Sequence, residues 1–173
     1  MRKLVLGVIL TLFVLVAVFL ITGINRKSNE KREIAEKIST LPAFSFTSLT
    51  NVSFNSSEIK TGPVLIVHFH PECSHCQYEI SEILKSSIPA KCTNVIMISS
   101  AEKDTIKKFM DQFSYKDMPA VIPLADTSYL FGDIFGSSKV PSNYIYNREL
   151  NLVKAIYGEV KTETILKYIE EGE

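Results

Sequence analysis

Residues 64–69, VLIVHF, form an unbroken apolar run rich in β-branched side chains, and the tetrad Cys73-Ser74-His75-Cys76 follows after only three residues. An unbroken run, rather than an alternating one, is what a strand buried on both faces requires. Immediately beyond the tetrad, Ile80, Ile83, Leu84 and Ile88 recur at helical spacing as far as Pro89. A buried strand, a Cys-x-x-Cys and an amphipathic helix are therefore contiguous, and the first cysteine sits at or near a helix N-terminus.

The remaining elements follow in an order that a parallel core needs. Residues 94–99 (NVIMIS) read as the next strand, and Ile106, Phe109, Met110 and Phe113 mark a helical face between Glu102 and Phe113. Together they make a crossover unit, since parallel neighbours require such connections. A short strand is expected near Ala120–Leu124 and a helical piece near Ser128–Phe135. The strands 143–146 and 152–157 then flank the turn Asn147-Arg148-Glu149 as a hairpin, and Thr162–Glu171 closes the chain as a helix with Ile165, Leu166 and Ile169 inward. The expectation is an α/β domain over residues 41–173 with a central mixed sheet flanked by helices.

Three cysteines cannot all pair within one chain, which excludes a disulfide scaffold. A Cys-x-x-Cys is either half of a zinc site or a redox dithiol. Zinc needs two further ligands, and the three histidines, His68, His70 and His75, all cluster around the motif itself. No metal site and no cofactor are expected. For disulfide exchange the reactive species is the thiolate, and unpaired amides with the helix dipole favour that anion at a helix N-terminus. Only Cys73 has that position, so Cys73 is the expected nucleophile and Cys76, one turn further, the group that resolves a mixed disulfide. His75 lies between them, either as a cation that stabilises the Cys73 thiolate or as a solvent-facing side chain without influence. Cys92, between Lys91 and Thr93, is expected to be structural.

Two segments taken together resemble a known family. VLIVHFHPECSHC is similar to the strand and active-site segment of thioredoxin-like proteins, and KVPSNYIYN to their segment with a proline in cis before the hairpin. The crossover between Ala101 and Ala125, the apolar N-terminus and the PAFSFTSL segment resemble the membrane-tethered TlpA and ResA-like oxidoreductases. The resemblance implies a thioredoxin-like fold and thiol-disulfide exchange with protein disulfides or dithiols, the enzyme being recharged by a membrane or periplasmic thiol donor. It implies a cis bond between Val140 and Pro141, in a loop that pairs with an extended substrate backbone. It also places His68 near the position from which a polar residue relays protons to the second cysteine; a hydrogen-bonded packing role is the alternative. Ser74-His75 lacks the proline of strongly reducing motifs, so a potential less reducing than thioredoxin's is expected. The rival readings are a peroxiredoxin-like peroxidase, although HFHPECSHC lacks the threonine of that pattern, and a non-catalytic thiolate metal-binding module.

Composition limits the partners. Nineteen basic residues balance nineteen acidic ones, so there is no surplus charge for phosphates and no nucleic-acid binding is expected. After a three-residue tail, Leu4 to Ile24 is free of charge, and its 21 residues at about 1.5 Å each match the roughly 30 Å hydrocarbon core. This predicts an uncleaved, single-pass anchor over residues 4–24 in a bacterial inner membrane. Residues 25–40 are highly charged and read as a solvated stalk, with Ile34 and Ile38 on one helical face. Basic residues after the span favour a cytoplasmic domain; the short tail and the dithiol favour the periplasmic side, which is the orientation expected here.

Overall fold

The computed structural model describes residues 30–59 and 61–172, together with 13, 15, 19, 20, 22, 23 and 28. The expected span over Leu4–Ile24 falls mostly outside the described residues. Among those described, no helix is long and apolar enough to cross a membrane. Residues 30–37 of the charged segment are helical. Residues 37–173 form one compact unit, and its packing already includes Ile38, whose carbonyl accepts the Tyr146 hydroxyl.

Seven strands make a single mixed sheet in the order β2-β1-β5-β4-β3-β6-β7. They are β1 (Ser45–Ser48), β2 (Ser53–Asn55), β3 (Val64–His68), β4 (Asn94–Ser99), β5 (Val121–Ala125), β6 (Ser142–Tyr146) and β7 (Leu152–Tyr157). β3, β4 and β5 are parallel, whereas β1, β6 and β7 run antiparallel to their neighbours. Among the described residues, five α-helices follow β3: α1 (Ser74–Lys85), α2 (Ile88–Lys91), α3 (Lys103–Met110), α4 (Phe131–Phe135) and α5 (Thr162–Glu171). The hairpin β1–β2, whose first strand lies within the PAFSFTSL segment, has no counterpart among the strands expected from sequence.

All five residues of β3 are buried, as its apolar run requires for the middle of the sheet. Alternation along the strand divides them between two layers. Leu65, Val67 and then Phe69 pack with Cys76, Ile80 and Ile83 of the α1 segment and with Ile165 and Ile169 of α5. On the other face His68 stacks on Phe131 of α4, with ring centroids 4.0 Å apart, and Phe131 stacks on Phe135 and meets Tyr144.

The first helix is shorter than its apolar spacing suggests. It ends at Lys85, and a separate short helix, α2, begins at Ile88 with Pro89 in its first turn. Proline has no N–H to continue a helix but fits the first turn of a new one. Asp126 similarly fixes where α4 starts, because its two carboxylate oxygens accept the Leu130 and Phe131 amides at 2.9 and 2.8 Å.

Candidate active site

The chain leaves β3 through a tight loop that delivers Cys73 to the start of α1. Cys73 N–H donates to the His70 carbonyl at 3.1 Å, and the Gln77 side chain donates back to the Pro71 carbonyl at 2.7 Å. Cys73 is the N-cap of α1 in extended backbone, and its sulfur accepts the Cys76 amide at 3.4 Å. That bond and the positive end of the helix stabilise negative charge on this sulfur. Cys73 is half-buried, whereas Cys76 is fully enclosed. Burial first, and then the hydrogen bond with Cys73, push the Cys76 thiol up to about 12. The two sulfurs thus differ in exposure and in surroundings, one at a helix start and the other enclosed.

The proline loop arrives at the same end of the sheet. β6 starts with Ser142 opposite His68, so Pro141 lies beside the exit of β3 toward the dithiol. The Val140–Pro141 peptide is cis. Two side chains fix the loop by one atom: the Lys139 carbonyl accepts from Ser142 Oγ at 2.7 Å and from His68 Nδ1 at 3.1 Å. Among the described residues no partner takes the backbone amide or carbonyl of Val140, whose side chain stands at the surface.

His68 belongs to this loop rather than to Cys76. It sits on the sheet face opposite Cys76, and burial lowers its pKa below 6.5, so it stays neutral. Its Nδ1 must carry the proton, because its partner there is a carbonyl. The buried acid whose charge acts on Cys76 is Glu79, one turn further along α1 and 1% exposed. Glu79 Oε1 accepts from Asn143 Nδ2 at 2.9 Å and Oε2 from Val160 N–H at 2.6 Å. Burial still raises its pKa above 4.5, against the lowering effect of both bonds.

A three-residue segment between β7 and α5 joins these parts. Gly158 N–H donates to the Pro141 carbonyl at 2.8 Å, the Glu159 carboxylate pairs with His75 Nδ1, and Val160 N–H holds Glu79. Gly158 has φ +97°, a left-handed backbone that side chains resist. His75 is therefore exposed and engaged with the Glu159 carboxylate. Neither Glu79 nor residues 158–160 are singled out by sequence. A glutamate next to Ile80 at helical spacing looks like the solvent side of α1, and what buries it lies more than sixty residues away. Cys92 lies apart, 6% exposed, with its thiol pushed up to about 12 by burial. Among the described residues no three His, Cys, Asp or Glu side chains converge as a metal-binding set.

Compared with solved structures, the architecture has many counterparts. A secreted disulfide oxidoreductase of Mycobacterium tuberculosis, homologous to E. coli DsbE, superposes with a TM-score of 0.63 at 12% identity, over 79% of this chain and 98% of its own. The chain is thioredoxin-like in fold. A thiol:disulfide interchange protein of the thioredoxin family from Chlorobium tepidum gives 0.63 at 16% identity, over 78% and 95% of the two chains. The exposed lipoprotein thioredoxin Etrx1 of Streptococcus pneumoniae gives 0.59 at 19%, over 75% and 98%. No protein-family model and no curated protein sequence matches the chain. At these identities the thioredoxin-like likeness speaks for the fold.

Proposed function

We propose that the protein is a membrane-anchored thiol-disulfide oxidoreductase that exchanges disulfides with extracytoplasmic proteins through Cys73 and Cys76. The observation that carries this reading is the asymmetry of the two sulfurs. Cys73 caps a helix and accepts an amide hydrogen bond, while Cys76 is enclosed beside a buried carboxyl group. The descriptions of the superposing proteins as disulfide oxidoreductases and interchange proteins support it.

In the proposed cycle the Cys73 thiolate attacks one sulfur of a substrate disulfide. A Cys73–substrate bond forms, the substrate's S–S bond breaks, and the second substrate sulfur leaves as a thiolate. Cys76 then loses its proton to the carboxylate of Glu79, directly or through one water, and attacks Cys73. The Cys73–Cys76 disulfide forms and the first substrate sulfur leaves. A dithiol donor at the membrane or in the periplasm returns the pair to its reduced state by the same steps in reverse. The substrate backbone pairs with Val140 beside cis-Pro141, and His68 holds that loop through Lys139. His75, held by Glu159, is the residue within the motif proposed to tune the Cys73 thiolate toward the reduced form.

Two variants test the assignment in an insulin-reduction assay with dithiothreitol as donor. Cys73→Ser is expected to abolish exchange, and Cys76→Ser to lose turnover while accumulating a disulfide-linked substrate on Cys73. Full multiple-turnover activity in Cys76→Ser overturns the resolving role.

A further inference from the structure

Asn143 carries the single orphaned buried side-chain atom among the described residues. Its amide nitrogen donates to Glu79 Oε1, and its Oδ1 has no partner. Both side chains are enclosed, Asn143 at 0% exposure and Glu79 at 1%. Position on β6 explains the encounter, since Asn143 pairs with Val67 and shares the face that packs on α1.

The two oxygens of Glu79 are not equivalent. Oε2 faces Val160 N–H, which can only donate. Oε1 faces a side-chain amide, which offers a donor in one orientation and an acceptor after a half turn. When Glu79 is ionised the nitrogen is turned toward it. When Glu79 is protonated the proton belongs on Oε1, because Oε2 already meets a donor, and Oε1–H needs an acceptor. The turned amide provides one through Oδ1. In either orientation one amide atom meets Glu79 and the other is unpaired, so the turn forfeits no hydrogen bond.

We propose that Asn143 is a positioning residue whose amide turns with the protonation state of Glu79, so that this buried carboxyl can receive a proton from Cys76 and later release it. The proposal rests on the resolving role given above to Cys76. In that step the Cys76 S–H bond breaks, its proton goes to Glu79 Oε1, and its electron pair forms the bond to Cys73 as the substrate thiolate departs. A fixed donor at this place would hold Glu79 ionised and a fixed acceptor would hold it neutral; only a group that is both lets it cycle. The groups around Glu79 are Cys76, Tyr78 and Glu82 on α1, and Glu159, Lys161 and Glu163 from the segment entering α5. Three of these six are carboxylic acids, and Glu159 opposes ionisation of Glu79.

The test combines spectroscopy and kinetics on the full chain in detergent micelles. With labelled asparagine and glutamate, the Asn143 side chain is expected to titrate with the midpoint of the Glu79 carboxyl. On acidification its amide proton loses the downfield shift of a carboxylate bond while its carbonyl carbon gains the shift of an accepted one. Asn143 resonances that stay fixed while Glu79 titrates, or a carbonyl carbon that does not move, overturn the amide turn. Asn143→Thr presents a hydroxyl that donates or accepts by rotation, and Asn143→Val has the same shape with neither capacity. Attack of Cys76 on a preformed Cys73 mixed disulfide is expected within about threefold of wild type for Thr and slowed about tenfold or more for Val. Equal rates for the two variants overturn the proposal. If Asn143→Val does not fold, the resonances of the wild-type chain decide. Glu79→Gln separates the two levels: a wild-type rate in that variant refutes Glu79 as acceptor, and the proposal with it. A slowed Glu79→Gln with fixed Asn143 resonances refutes the amide turn alone.

Discussion

Cys73 and Cys76 are three residues apart and chemically unlike, and the difference can be read by alkylation. At pH 7.5, iodoacetamide is expected to label Cys73 at least about tenfold faster than Cys76 or Cys92, whose thiols stay protonated up to about 12. Peptide mapping that finds equal labelling of Cys73 and Cys76 in the folded chain contradicts the asymmetry. His68 gives a second residue-scale prediction. Its folded pKa is lowered from 6.5, so it supports stability above 6.5 and withdraws it as pH falls through the lowered value. Between pH 7.5 and 5, wild type is expected to lose more unfolding free energy in urea than His68→Phe; equal losses sink this account of His68. Spacing alone makes Cys73 and Cys76 legible, and the KVPSNYIYN segment points to cis-Pro141 by resemblance. The partner of His68 is not legible, because strand alternation sends its ring to the face away from Cys76, and one sequence does not say which face α1 covers.

Helix α1 shows the same divide at the scale of an element. Its apolar spacing announces Ile80, Ile83 and Leu84, and all three are buried. Ile83→Ala is expected to cost about 2–5 kcal/mol by chemical denaturation, with exchange retained below the transition. Glu79 on the same helix is buried by β6 and the segment 158–160, contacts that helical periodicity cannot anticipate. Its raised pKa makes a signed prediction. A carboxyl whose folded value lies above 4.5 contributes stability below about 4.5, and loses it as pH rises through the folded value. The stability of wild type relative to Glu79→Gln is therefore expected to fall with rising pH across that window and to level off beyond it. A difference independent of pH removes the buried-acid reading. The hairpin β1–β2 was not separable from coil in the sequence, since strands of four and three residues leave too little alternation to detect.

For the whole molecule, the order of the main strands and helices after residue 63 follows from hydrophobic period, whereas the order of strands across the sheet is not legible, because period does not say which strands pair. The clasp of residues 158–160 on three parts of the site is not legible either, because it exists only once β7 and α5 are docked. The proposed anchor and its orientation carry a prediction at this scale. Protease added to spheroplasts is expected to remove the domain from its anchor; a domain cut only after the membrane is opened reverses the proposed orientation. In the proposed function Cys73 and Cys76 act as one two-electron redox pair. The direct measurement is equilibration of the full chain in glutathione buffers, acid quenching, and mapping of every cysteine. Cys73 and Cys76 are expected to be lost together as one disulfide, with Cys92 reduced throughout and a midpoint less reducing than about −270 mV. Oxidation that stops at a glutathione adduct on one cysteine, with no Cys73–Cys76 disulfide at any potential, would contradict the paired role.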